Sequence, residues 1–102
     1  MECLKNLGIS LETINYLKDS CIEEELDSIE HCIDRLESSI LYLREIGVKN
    51  SVIEEILRID FHVLMPGRKY LEKSLYKLKS IDDFVKAINE HVEYMDYLMN
   101  IS

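Results

Sequence analysis

Residues 22–47 read IEEELDSIEHCIDRLESSILYLREIG, and this run decides the fold. Ile22, Leu26, Ile29, Ile33, Leu36, Ile40 and Leu43 recur in alternating steps of 4 and 3, a heptad seam along one helix face. Asp19 or Ser20 is placed to cap its start. Glu23, Glu24 and Glu25 fall in the first turn, where the helix dipole favours anions, and Gly47 supplies a left-handed stop. One helix is expected over the whole run.

Such a seam needs a cover. With Leu26, Ile33 and Ile40 at a, the e positions are Glu30, Glu37 and Arg44, and the g positions are Glu25, Cys32, Ser39 and Ile46. A parallel homodimer would set glutamate against glutamate and form no g–e salt bridge. Leu41, Tyr42 and Ile46 also widen the apolar surface beyond the stripe. The seam is therefore expected to be covered by helices of its own chain, giving a monomer or a dimer held through another surface.

The flanking sequence supplies those helices. Ser10 reads as the N-cap of a short helix over about 11–18, with Ile14 and Leu17 inward. Ser51 and Glu54 fit a capping box that opens a third helix carrying Val52, Ile53, Ile56 and Leu57. Met65-Pro66-Gly67 punctuates the chain before a fourth helix over 68–79, with Leu71, Leu75 and Leu78 on one side. Ser80 and Asp83 open a fifth, which presents Phe84, Val85, Ile88, Val92, Met95, Leu98 and Met99 as the long partner of the second. No strand-like alternation with turn chemistry is present. The expectation is an all-α single domain over 1–102, a compact array of about five helices of bundle or short helical-repeat type.

Composition fits one core. The chain has 102 residues, 47% hydrophobic and 31% charged, and only 3 Gly and 1 Pro, too few for a turn-rich fold. No apolar run approaches the ~18 residues of a membrane span. The opening Met-Glu-Cys-Leu-Lys-Asn lacks the basic flank and apolar core of a secretory signal, so a cytoplasmic location without membrane contact is expected. Cys3, Cys21 and Cys32 are odd in number and lack C-x-x-C spacing, which fits reduced thiols better than a disulfide framework or a zinc knuckle.

A pattern recurs at a period of 39. Leu7-Gly8-Ile9 with Ile14 and Leu17 matches Ile46-Gly47-Val48 with Ile53 and Ile56. Leu43-Arg44-Glu45-Ile46-Gly47-Val48, followed by Ile53, Ile56, Leu57, Val63, Leu64 and Leu71, resembles the helical repeats of the mitochondrial transcription termination factor family. The likeness covers about one and a half repeats, and Ile59-Asp60-Phe61 stands where those repeats carry a proline. It implies a helical-repeat architecture and nucleic-acid binding through a basic concave face.

Catalytic and metal motifs are missing: there is no Gly-rich phosphate loop, no G-x-S-x-G and no H-E-x-x-H. His31, between Asp27 and Asp34, falls at an f position opposite the seam, and His62 and His91 lack thiolate or histidine company in sequence. Neither an enzyme nor a cofactor is expected.

Charge is more informative. Residues 1–66 hold 6 Lys/Arg against 14 Asp/Glu, residues 67–81 hold 5 against 1, and residues 82–102 hold 1 against 5, within a net charge of −8. A basic helix thus sits in an acidic chain. At helical spacing Lys69, Lys73 and Lys77 form one stripe opposite Leu71, Leu75 and Leu78, with Tyr70 and Tyr76 flanking it. The stripe is either a solvated face answering nearby carboxylates or a docking face. The expected function is a non-catalytic binding or regulatory module acting through protein contacts at Lys69, Tyr70, Lys73, Tyr76 and Lys77. The alternative is a nucleic-acid-associated repeat protein using the same stripe, although nucleic-acid domains usually carry a larger basic excess.

Overall fold

A computed structural model describes residues 2–78 and 80–91. Among them the chain forms seven helices and one 3₁₀ turn, with no strand: α1 Glu2–Asn6, α2 Leu11–Ser20, α3 Glu23–His31, α4 Ile33–Glu45, α5 Asn50–Asp60, the 3₁₀ turn Phe61–Leu64, α6 Arg68–Tyr76 and α7 Ile81–Glu90. The all-α class holds. The count rises from five to seven because α1 is added and the long second helix is split at Cys32.

That split has a geometric cause. A straight helix drifts about 20° per heptad from a strict seven-residue seam, so three heptads from Ile22 to Leu43 would carry the stripe about 60° around the core. A supercoil would absorb the drift, but a short globular helix has no such partner. Here Cys32 leaves helical geometry (φ −105°, ψ 20°) and its carbonyl starts the new helix by accepting from Leu36 N–H at 3.0 Å. Ile29, Leu36, Ile40 and Leu43 are fully buried, whereas Ile22 at the seam's start is 61% exposed. The covered part of the seam is buried within one chain, against α1, α3, α5, α6 and the 3₁₀ turn. Ser39, at a g position, is buried too and donates its hydroxyl to Leu64 O at 2.6 Å, tying α4 to the 3₁₀ turn.

Several expected boundaries move. Asp19 and Ser20 lie inside α2, and α3 begins after Ile22, whose N–H donates to Glu25 Oε1 at 3.2 Å. Ser51 lies inside α5, which starts at Asn50 with Lys49 as N-cap. The fourth expected helix ends at Tyr76, leaving Lys77 as its cap. α7 stops at Glu90, where His91 N–H donates to Ala87 O at 2.8 Å. The expected continuation through Val92, Met95, Leu98 and Met99 lies outside the described residues. Ser10 and Ser80 do cap their helices, accepting from Thr13 N–H at 3.3 Å and Asp83 N–H at 3.2 Å.

The 39-residue period has a geometric counterpart. Gly8 (φ 87°) and Gly47 (φ 106°) both take the left-handed conformation that side chains resist. Ile9 N–H reaches Leu4 O at 3.0 Å, and Val48 N–H reaches Leu43 O at 2.9 Å, the six-to-one bond of a Schellman turn in each copy. The carbonyl of Gly8 then accepts from Asn50 Nδ2 at 3.4 Å and that of Gly47 from Asn89 Nδ2 at 3.3 Å, each donor 42 residues farther along. Asn89 also accepts from Lys49 N–H at 2.9 Å, which pins α7 to the start of α5.

Candidate partner-binding site

α6 is held from below. Its N-cap, Gly67, sits against Arg35 and Ser38 of α4, and Ser38 Oγ accepts the Arg68 N–H at 3.1 Å. Leu71, Ser74 and Leu75 are buried. Arg68, the first residue, pairs with Glu72 at 2.6 Å and Glu45 at 2.8 Å, and its guanidinium lies 5.1 Å from the Tyr42 ring centroid. These pairs hold Arg68 more firmly protonated than usual, through the Glu72 hydrogen bond first. Burial, and then Glu72, push the Tyr42 phenol upward, so it stays neutral under the guanidinium.

With that face down, the opposite face meets solvent. Lys69, Lys73 and Lys77 are all exposed, and none forms an ion pair among the described residues. Two carboxylates around the start of α6 are otherwise engaged: Glu72 of the same helix and Glu45 of α4 both pair with Arg68. Tyr76 is 89% exposed, whereas Tyr70 is half-buried. Of the five expected residues, four thus share the outer surface of α6 and its cap, and Tyr70 turns partly inward.

Beside the stripe runs a groove that the sequence did not announce. About 380 Å³ in volume, it is lined by Leu75, Tyr76, Leu78, Ser80, Ile81 and Asp82, between the end of α6 and the start of α7. Ile81 is 38% exposed there. The only signal was its place just after a capping serine and outside the stripe of Phe84 and Ile88, an apolar residue with no inward assignment.

A second groove, about 180 Å³, gathers Cys21, Asp60 and His62 with Tyr16, Glu25 and Arg58. His62 Nδ1 lies 3.2 Å from Asp60 Oδ1, and its ring stacks on Phe61 with centroids 4.2 Å apart. A nucleophile–base pair would need a hydrogen bond between Cys21 and His62, and none is formed. Burial, and then Glu25, push the Cys21 thiol upward, away from thiolate. The Cys3 thiol is likewise raised, first by its 2.9 Å hydrogen bond to Glu37 Oε2 and then by burial. All three cysteines are free, and His31 is exposed at the end of α3. Among the described residues no three His, Cys, Asp or Glu side chains converge as metal ligands would, and no helix is long and apolar enough to cross a membrane.

The most developed polar network lies between α2 and α5, and it is structural. Glu54, expected to cap its own helix, reaches instead to the start of α2. It accepts from Ser10 Oγ, from Ser10 N–H at 3.2 Å and from the fully buried Thr13 Oγ1 at 2.6 Å. Arg58 donates to Thr13 Oγ1 at 3.0 Å, and Asn50 Nδ2 reaches Glu54 Oε2 at 3.0 Å. Arg44 donates to Asn50 Oδ1. Burial alone would raise the Glu54 pKa, but these donors and the Arg58 charge outweigh it and hold the carboxyl below its ordinary value.

Family models, curated proteins and solved structures yield no significant match to the chain.

Proposed function

We propose that this chain is a non-catalytic helical binding or regulatory module that acts through protein contacts on α6. The observation that supports it is the lysine line, Lys69, Lys73 and Lys77, which forms no ion pair among the described residues and lies beside an 89% exposed tyrosine. The chain has acid to spare at a net charge of −8, yet among the described residues no carboxylate pairs with this line. An exposed tyrosine is of the residue type enriched at binding surfaces, and lysines on the rim beside it can steer and orient a partner of opposite charge.

The competing reading is the nucleic-acid-associated repeat protein. It is tested by titrating the purified chain with duplex and single-stranded nucleic acid near 0.15 M salt. No binding is expected. If the three lysines did release counterions, log K would fall against log salt with a slope of about −2.7, from roughly −0.9 per phosphate contact on a duplex. Micromolar binding with that slope, erased by Lys69→Glu, Lys73→Glu and Lys77→Glu together, would put the alternative in place of the protein-contact reading.

A further inference from the structure

We infer that the occupant of α6 is an acidic amphipathic helix, with carboxylates on the lysine line and an apolar side chain in the groove between α6 and α7. This rests on the reading of α6 as a protein-docking face and specifies what that face recognises.

Spacing comes first. Lys69, Lys73 and Lys77 are four residues apart, so their charges recur about every 6 Å over roughly 12 Å of helix. Carboxylates at i, i+4 and i+8 of a second helix laid alongside recur at the same interval.

The apolar contact lies to one side of that line. Tyr76 sits about 60° around the helix from Lys73, the middle of the line, and the groove lined by Leu75, Leu78 and Ile81 opens beside it. An occupant of both must carry two different strips side by side. A helix does this, because i, i+3 and i+4 positions form adjacent rows, whereas an extended chain turns alternate residues to opposite faces.

Surrounding acid limits how the occupant's charge is arranged. Glu45 and Glu72 lie on α4 and α6 around Arg68, and Asp82 lines the groove in the first turn of α7, with Asp83 next to it in sequence. Arg68 already serves two carboxylates and adds no free cation. A long polyanion with charge on every unit would run off the lysines into these carboxylates. An occupant with its negative charge confined to one strip avoids them, and the match of sign on the strip supplies orientation.

The test uses the whole chain and three fluorescent probes. One is an 18-residue helical peptide with glutamates at i, i+4 and i+8 and leucines on the adjacent strip. A second has the same composition with its glutamates scattered around the helix, and the third is an 18-nucleotide single strand. Binding is read by anisotropy near 0.15 M salt, with sizing of the free chain across concentration. The amphipathic peptide is expected to bind at least about tenfold more tightly than the other two. Lys69→Glu, Lys73→Glu and Lys77→Glu together should weaken it by at least about tenfold, and Tyr76→Ala by several-fold. The milder triple change to Gln should weaken it in the same direction, which keeps the test sound if charge reversal disturbs the fold. Equal binding of the scattered peptide or the oligonucleotide, insensitivity to both triple variants, or no peptide binding would each overturn the inference. So would a salt-sensitive dimer lost in the triple variants, since a second copy would then be the occupant. Should the peptide fail while a photo-crosslinking amino acid placed at position 76 still captures a protein in a lysine-dependent way, the docking reading stands and only the helical occupant falls.

Discussion

Leu43→Ala is expected to lower the free energy of unfolding by about 3–4 kcal/mol, as deletion of a fully buried leucine does when its surroundings relax only partly. Leu43 is 0% exposed, closes the heptad seam and carries the carbonyl that receives Val48 N–H in the Gly47 turn. The loss thus falls where the spine of the fold meets the turn into α5. Domains of this size hold only about 5–15 kcal/mol in total, and each kcal/mol moves Tm by roughly 4–8 °C. A drop of about 15–25 °C should follow. Leu41, two residues earlier on the same helix, is 45% exposed, and Leu41→Ala should change stability by no more than about 0.5 kcal/mol. Urea and thermal unfolding of the two variants decide the matter. Similar losses would mean that the buried face of α4 is wrongly assigned.

Glu54→Ala is expected to cost about 2–3 kcal/mol, the range for removing a charged acceptor from partly buried donors. Ser10 and the buried Thr13 lose their acceptor, and Arg58 loses a counter-charge. The effect also depends on pH in a fixed direction. The folded carboxyl is held below its unfolded value near ~4.3, so its contribution is complete above that pH and is lost as pH falls through the lower folded value. Stability curves of the native chain and Glu54→Gln should therefore lie apart at neutral pH and converge as pH falls below about 4. Curves that stay parallel down to pH ~2.5 would show that the carboxylate form is not what secures α2 to α5.

Apolar periodicity and small caps were the legible part of the fold. Ile14, Leu17, Leu36, Ile40, Leu43, Ile53, Leu57, Leu71, Leu75 and Ile88 announce their burial by spacing, and Ser10 and Ser80 announce their helices by chemistry. α1 was not legible, because five residues contain too little periodicity even though Leu4 is fully buried. The break at Cys32 was hidden by the very regularity of the seam, whose drift on a straight helix only three dimensions reveal. Glu54 shows a different limit. Its position three residues after Ser51 fits a local cap, but Ser10 and Thr13, more than 40 residues away, offer it better partners.

The candidate site divides in the same way. Lys69, Lys73 and Lys77 could be placed on one face from spacing alone, because the opposite face is apolar. What spacing could not say is whether carboxylates elsewhere in an acidic chain would cover them, and that depends on where Glu45 and Glu72 are drawn by Arg68. The groove beside Tyr76 needed the junction of α6 and α7, which no periodicity encodes.

The most direct measurement places a photo-crosslinking amino acid at position 76 of the full chain, expressed in its source cell. The account predicts a discrete protein adduct on illumination, reduced severalfold when Lys69, Lys73 and Lys77 are changed to Gln, and no adduct from the same group at the exposed position 41. A nucleic-acid adduct, or protein adducts of equal yield from positions 76 and 41, would contradict it.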